Sequence, residues 1–291
     1  MNRVWHQGER YDGPRNSRWI VNDWQGHRGL SAPPSGYQWM RYGNQYLLTA
    51  ITTGVIAGVV SDKPRPGTDD FSVGAAMSAA DLHAVFDAGR RAVDAACADG
   101  ADLLVFGEMG IGNTTAASAL AAALGPLPLE DLVGAGTGLD AVRMVQKKNI
   151  IARALALHGE AINAAASPGM EALQRVGGLE IAAISAAMIR AAQRRVPVLV
   201  DGFIVSAAAL AAVRINPGVR PWLLFSHQSA ERGHLHLLDA LQAQPLLSLD
   251  LRLGEGSGAA LALPLVRMAC ALHNGMATFA EAAVADREGT P

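Results

Sequence analysis

The first candidate for chemistry is Glu255, a carboxylate enclosed by glycines in the stretch L-D-L-R-L-G-E-G-S-G-A-A at 249–260. Glycines on both sides let the main chain approach a ligand closely. The apolar run at 259–266 predicts a helix, and Ser257 is placed to cap it. Because free N–H groups at a helix start favour anions, a phosphate is expected beside the carboxylate. A tight turn with a solvated glutamate is the alternative.

A second stretch has the same character. G-E-M-G-I-G-N-T-T at 107–115 combines glycines, one acid (Glu108) and small hydroxyl side chains. In an apolar, partly closed site a glutamate can act as a general base, which contributes ~10²–10⁴ in rate. Neither G-x-G-x-x-G nor the Walker motif stands in its proper context, which weakens dinucleotide and ATP hypotheses. Two such loops favour a small-molecule site.

Two further residue types are candidates for binding. Three of the 24 basic residues are lysine, and two of them, Lys147 and Lys148, are adjacent. Either can serve as a point charge for a phosphate, with a solvated helix face as the alternative. His227, His234 and His236 form a cluster, but no cysteine and no H-E-x-x-H accompanies them, so no metal site is predicted.

Composition bounds the class of protein. The 291 residues suit one large domain with a smaller appendage, and 50% are hydrophobic, which is ample for a core. A net charge of −2 argues against nucleic-acid binding. Cys97 and Cys270 are typical of buried thiols in a reducing compartment, so a cytoplasmic location is predicted. The apolar run Leu47–Val60 is short for a membrane span and predicts a buried element.

Short apolar strands alternate with longer helical patterns along most of the chain. Predicted strands span 102–106, 198–200 and 222–225, with a strand-like start at 132–138, and predicted helices span 115–124, 140–158, 179–194, 204–213 and 231–244. This order predicts an α/β fold, a Rossmann-like parallel sheet flanked by helices. Ligands bind beyond the carboxyl ends of such strands, where the polar loops of this chain stand.

The front of the chain differs from the rest. All four tyrosines and four of five tryptophans lie in residues 1–46, which show no period of 2 or 3.6, so no fold is derived there. The predicted organisation is an atypical segment at 1–60, an α/β nucleotide-binding domain at 61–250, and the active-site loop with C-terminal helices at 251–291. Those helices and N-terminal segments are expected to form a smaller helical part.

Five motifs occur in a specific order: G-E-M-G-I-G-N-T-T-A-A-S-A-L (107–120), G-T-G-L-D (136–140), V-L-V-D-G-F-I-V-S-A-A-A-L (198–210), S-H-Q-S-A-E-R-G-H (226–234) and L-R-L-G-E-G-S-G-A-A-L-A-L-P-L (251–265). Together they resemble the nicotinate-nucleotide:dimethylbenzimidazole phosphoribosyltransferases of cobalamin lower-ligand assembly, over about residues 65–272. The front of the chain departs from that family, with a faint echo of its entry motifs at 27–34 and 38–40.

The resemblance implies transfer of phosphoribose from nicotinate mononucleotide to 5,6-dimethylbenzimidazole, with inversion at C1′. The products are α-ribazole 5′-phosphate and nicotinate. Nicotinate leaves from a pyridinium and needs no acid, whereas the incoming imidazole must lose a proton. One carboxylate base and a phosphate site therefore suffice, without metal or cofactor. The family also implies a homodimer. The charge and the short apolar run given above predict no nucleic-acid or membrane partner.

The resemblance also implies residue roles. Glu255 falls on the catalytic base, Glu108 on a second acid near the ribose, and Lys147 on a lysine of the phosphate site. The other implied substrate contacts are Gly110, Gly112, Asn113, Thr114, Gly136, Gly138, Asp201, Ser226 or Ser229, Gly256, Ser257 and Gly258. Two alternatives stay open: the same transfer to another acceptor, such as a purine or phenol, and a non-catalytic nucleotide-binding relative.

Overall fold

The structure is a computed structural model that describes residues 9–11, 20–22, 30, 32–35, 37–42, 45–50, 56–61, 67–125, 127–134, 140–278 and 281–282. The chain divides into two compact units, Met1–Gly67 and Thr68–Pro291. In the part of the chain given by these ranges, no helix is long and apolar enough to span a membrane.

The N-terminal unit contains an antiparallel sheet of consecutive strands, β1 Tyr37–Tyr42, β2 Gln45–Ala50 and β3 Ile56–Ser61. Trp39 and Met40 are neighbours in β1, and both are buried, so both faces of this strand are covered. A strand covered on both faces shows no alternation of polar and apolar residues. At Trp39 and Met40 the sequence therefore lacks the alternation that an exposed strand would show.

The second unit alternates helices with short strands. Its helices are α1 Ala79–Ala98, α2 Thr114–Leu124, α3 Leu129–Leu132, α4 Ala141–Ala164, α5 Pro168–Val176, α6 Leu179–Gln193, α7 Phe203–Ile215, α8 His234–Ala240 and α9 Ser257–Gly275. Its strands are β4 Leu104–Phe106, β5 Val198–Val200, β6 Leu223–Phe225, β7 His227–Ser229 and β8 Leu247–Leu251, and a 3₁₀ turn spans Pro217–Trp222.

Strands β4, β5 and β6 form a parallel sheet in that order, and β7 pairs with β8, also in parallel. Leu104 pairs with Val198, and Val198 pairs with Leu223, so the three strands are in register. Their carboxyl ends therefore lie side by side, followed by Gly107, Asp201 and Ser226. The predicted α/β fold with a parallel sheet is confirmed.

Helix α7 forms the centre of the core. Every residue from Phe203 to Ala212 is buried, and the alanine-rich sequence lets α2, α5 and α6 pack closely around it. Because α7 begins directly after Asp201 and Gly202, the core fixes the main chain at the end of β5. One edge of the candidate site is thus attached to the most buried helix.

Several elements differ from the sequence predictions. The strand-like start at 132–138 is wrong for residues 132–134, since Leu132 ends the short helix α3 and no strand follows at 133–134, whereas residues 135–138 lie outside the described residues. The predicted helix 231–244 shortens to α8, and α5, β7 and β8 were not predicted. Helix α9 contacts β4, β5, β7 and β8. The predicted smaller helical part and the domain boundaries at 60 and 250 stay predictions.

Candidate active site

A cavity of about 570 Å³ lies at the carboxyl ends of the parallel strands. Its walls come from the loops that follow β4, β5 and β8, together with β7 and the first turn of α7. Six of the predicted site residues line it: Glu108, Gly110, Thr114, Asp201, Ser229 and Glu255. The structure therefore gathers four separate parts of the sequence, within 108–114, 201–205, 227–231 and 252–255, around one space.

The two glycine loops touch through their main chains. The N–H of Glu255 donates to the carbonyl of Glu108 at 2.8 Å. A Cβ on Gly107 would lie 2.2 Å from the nitrogen of Gly256, and one on Gly254 would lie 2.6 Å from the carbonyl oxygen of Glu108. Larger residues at these positions would push the loops apart, so the glycines permit the contact that brings both acids to one cavity.

Glu255 has a left-handed backbone. Its φ is 57°, between Gly254 and Gly256, which both have a φ of 79°. A residue with a side chain in this region is disfavoured by roughly 1–2 kcal/mol. Such strain persists only where the surroundings hold the conformation, and it is typical of functional sites.

The start of α9 is capped from a distance. Ser257 was predicted to cap this helix, and that is wrong: Ser257 is its first residue and Gly256 occupies the cap position without a side-chain bond. Asp201 acts instead, because its two oxygens accept from the N–H groups of Gly256 and Ala259, each at 3.1 Å.

Lys147 supplies a cation behind one wall of the cavity. Its Nζ donates to Thr114 Oγ1 at 2.9 Å and to the carbonyl of Gly134 at 3.2 Å. Burial lowers the pKa of Lys147, and the charge of nearby Glu231 acts in the opposite direction. Thr114, the first residue of α2, lines the cavity, so the ammonium lies one hydrogen bond behind the cavity wall, beside a helix N-terminus.

Buried His234 is a neutral structural group with a defined tautomer. The N–H of Ser229 donates to Nδ1 of His234 at 2.7 Å, so the imidazole proton is on Nε2, which contacts Ser206 Oγ at 2.8 Å. Burial, with a contribution from His227, lowers the pKa of His234 to about 3. His234 therefore stays uncharged in the ordinary pH range.

The two candidate serines have different roles. Ser226 is fully buried, and its hydroxyl donates to the carbonyl of Val200 at 2.8 Å. Its oxygen is then left to accept from Nδ1 of His227 at 3.1 Å. Ser229 lines the cavity, whereas Ser226 is not among the lining residues. Of the two, the geometry favours Ser229 as a substrate contact.

Not every predicted residue reaches the cavity wall. Gly136 and Gly138 lie outside the described residues. Asn113, the residue before α2, donates from Nδ2 to Glu180 Oε1 at 3.3 Å, and burial raises the pKa of Glu180. Seven predicted residues do not line the cavity, although they are near lining residues in the sequence or lie behind them: Gly112, Asn113, Lys147, Ser226, Gly256, Ser257 and Gly258.

The sequence analysis missed several lining residues. They are Met109, Ile111, Gly202, Phe203, Ile204, Val205, His227, Glu231, Arg252, Leu253 and Gly254. Glu231 and Arg252 stand in quoted motifs, and those motifs were the available signal, since the strands β7 and β8 that precede them were not predicted. Met109, Ile111 and Leu253 are 48%, 65% and 73% exposed. We call these three side chains the apolar rim.

A parallel α/β unit surrounds one cavity with carboxylates and with a helix start that Lys147 contacts from behind, and a family comparison gives the class of this unit. Residues 42–284 match the family model described as phosphoribosyltransferase.

The relatives narrow this class. The chain is 60% identical over 238 residues to the nicotinate-nucleotide–dimethylbenzimidazole phosphoribosyltransferase of Bradyrhizobium sp. (strain ORS 278), covering 82% of this chain and 67% of the relative. Identity to the enzyme of that name from Pseudomonas aeruginosa (strain UCBPP-PA14) is 55%, covering 82% and 67%. The solved structure of CobT from Thermus thermophilus matches with a TM-score of 0.71 and 45% identity, covering 78% and 66%.

The chain therefore belongs to the nicotinate-nucleotide–dimethylbenzimidazole phosphoribosyltransferase family, which confirms the resemblance seen in the motifs. It spans about two thirds of the length of the relatives it matches.

The front of the chain has a different likeness. Residues 8–58 match a family model described as nickel/cobalt transporter regulator. This match falls within the N-terminal unit Met1–Gly67. It coincides with the segment in which the phosphoribosyltransferase entry motifs are faint.

Proposed function

We propose that this chain transfers phosphoribose from nicotinate mononucleotide to 5,6-dimethylbenzimidazole, releasing nicotinate and forming α-ribazole 5′-phosphate. One observation carries the proposal: Glu255 faces the same cavity as Thr114, which is hydrogen-bonded to the buried Lys147. A base and a phosphate site are the two parts that this reaction needs. The names of the relatives support the choice of substrates. We place the reaction in the cytoplasm, in keeping with the free thiols of Cys97 and Cys270, although the expectation that both are buried is wrong: Cys97 is half-buried and Cys270 is exposed.

The geometry supports a simple sequence of events. The 5′-phosphate binds at the start of α2, where N–H groups and Lys147 favour an anion. Nicotinate departs from C1′ with the electron pair of the glycosidic bond, and positive charge develops on the ribose. Glu108 and Glu231 line the cavity and are placed to stabilise that charge. The acceptor nitrogen attacks from the opposite face, and Glu255 takes the imidazole proton.

The apolar rim supports a flat, apolar acceptor. Met109 directly follows Glu108 in the first glycine loop, and Leu253 directly precedes Gly254 in the second. Exposed apolar groups beside a catalytic carboxylate are typical of a surface that binds an aromatic ring. A benzimidazole lying on this rim would present its ring nitrogen to Glu255.

The test is incubation with nicotinate mononucleotide and dimethylbenzimidazole. We expect nicotinate release that depends on the acceptor, with α-ribazole 5′-phosphate identified by mass spectrometry. Because the front of the chain matches another family, we expect the chain to bind dimethylbenzimidazole more weakly than it binds nicotinate mononucleotide. Reactions with a purine or a phenol in place of the benzimidazole are the matched controls. Nucleotide binding without any release would instead support a non-catalytic relative, and release with a purine or phenol alone would support another acceptor.

We also propose that the chain forms a homodimer through α9. Exposed apolar side chains three or four residues apart form a row along one side of this helix, and the row ends at the residue after it: Leu261, Leu265, Met268, Leu272 and Met276. Exposed apolar rows of this kind mark protein interfaces. We expect Leu272→Glu to convert a dimer to a monomer in light scattering coupled to gel filtration. Val73→Glu, the same kind of change at another exposed apolar side chain, should leave the mass unchanged; a monomeric wild type would refute the proposal.

A further inference from the structure

Asp201 differs from the other acids of the cavity in how its oxygens are used. Its side chain is buried, with 1% of the residue exposed. Oδ2 accepts from the N–H of Gly256, and Oδ1 accepts from the N–H of Ala259. Both acceptor oxygens are thus directed to the main chain that follows Glu255, although the residue lies at the cavity wall.

The two bonds bracket one structural unit. Gly256 ends the left-handed run that contains Glu255, and Ala259 is the third residue of α9. The N–H of the third helical residue is one that a capping side chain ordinarily satisfies. Gly256 has no side chain that could accept this bond, so the carboxylate of Asp201 caps the helix by accepting from the N–H of Ala259. Its negative charge also suits the positive end of the helix.

The carboxylate is itself firmly held. It stands between β5 and the buried helix α7, so its main chain cannot shift without disturbing the core. On the other side, a Cβ on Gly258 would lie 1.9 Å from Nδ1 of His227, so the imidazole packs directly on the start of α9. Nδ1 of His227 is 3.5 Å from Oδ1 of Asp201. The anchor and the helix start are therefore packed as one body.

We propose that Asp201 is a positioning residue for the reaction: by bonding the main chain on the far side of Glu255, it holds this residue in its left-handed conformation and keeps its carboxylate at the cavity. Asp201 acts through the loop and does not bind substrate. This inference rests on the proposed role of Glu255 as the base.

Asp201→Asn is the direct test. The amide keeps the size and one acceptor oxygen, but its NH₂ group opposes one of the two main-chain N–H groups. We expect kcat to fall about tenfold, since a hydrogen bond to a charged group contributes at least that much. The Kd for nicotinate mononucleotide should change less than about twofold, because Asp201 does not contact the nucleotide and the substitution leaves the interactions that bind it in the ground state in place. Hydrogen exchange of a peptide covering 254–259, measured by mass spectrometry on the free protein, should become faster.

A double-mutant cycle separates positioning from mere stability. If Asp201 acts through Glu255, then Asp201→Asn should have little further effect on kcat in a Glu255→Gln background. The side chain of Ser78 caps α1 by accepting from the N–H of Asp81, and Ser78→Ala removes this cap. This variant is the control for a capping defect outside the site. It should leave kcat and exchange at 254–259 unchanged.

Each other outcome decides against the inference. A tenfold loss of nucleotide affinity in Asp201→Asn would make Asp201 a substrate ligand, and an undiminished effect on kcat in the Glu255→Gln background would remove the link to the base. Unchanged exchange at 254–259 would show that the loop does not depend on Asp201. An inactive wild type would count against the proposed function instead, while the exchange measurement would still test the anchor.

Discussion

Replacing Glu255 by glutamine should lower kcat by ~10²-fold or more, because the amide keeps the shape and hydrogen bonding of the side chain but cannot take a proton. The Kd for nicotinate mononucleotide should stay nearly unchanged, since the proposed phosphate site is at α2 and Lys147 and does not involve Glu255. Single-turnover measurement of nicotinate release, with the nucleotide bound in advance, isolates this step from binding.

Glu160→Gln provides the matched control for that change. Glu160 is a glutamate on α4, away from the cavity lining, and its replacement should leave the rate as it is. A Glu255→Gln enzyme that retained half of the wild-type rate would show that another group removes the proton. The carboxylates of Glu108 and Glu231 would then be the next candidates in the cavity.

Replacing Lys147 by alanine should weaken nucleotide affinity by about 1.5–3 kcal/mol, the range for hydrogen bonds to charged groups. The ammonium is held by hydrogen bonds to Thr114 and Gly134, and it stays charged when a phosphate dianion binds. The substitution should therefore lower nucleotide affinity more than it lowers turnover. Titration calorimetry with nicotinate mononucleotide measures the change. Lys148→Ala, one residue and ~100° around the helix, should do much less; equal losses from both variants would contradict the phosphate role.

The same lysine predicts a pH dependence of nucleotide affinity. Burial lowers the pKa of Lys147 below its ordinary 10.5, so the free protein loses this charge at a lower pH than an exposed lysine would. Affinity that depends on the ammonium is fully present below that pKa and is lost as the pH rises through it. The alkaline decline in affinity should therefore disappear in Lys147→Ala.

Local signals in the sequence predicted part of the fold well. Val198–Val200 is a strand of the expected length, since three buried apolar residues follow Pro197 and end at a polar pair. Ser78 and Asp81, three residues apart as a capping box requires, also cap the start of α1. By contrast, β7 consists of His227, Gln228 and Ser229, a composition that carries no strand signal, and it exists because β8 pairs with it.

The candidate site was predictable in its parts but not in its connections. Glu108, Thr114 and Glu255 were found from their motifs, because glycines and small hydroxyls next to an acid are visible in any sequence. The cap of α9 by Asp201 joins residues 55 and 58 positions apart, and no local pattern can reveal it. The local hypothesis, a cap by Ser257, failed because a tertiary contact replaced it.

The contact between the two glycine loops has a consequence for how this enzyme folds. Gly107 and Gly256 meet only after a loop of about 150 residues has closed, and the entropy of closing such a loop is lost before the contact forms. Helices such as α1 and α6 can acquire their backbone bonds early from nearby residues, whereas the cavity requires both ends of the unit to be in place. Recovery of turnover during refolding should consequently lag behind recovery of helical circular dichroism, which makes activity a stricter criterion of the native state than secondary structure.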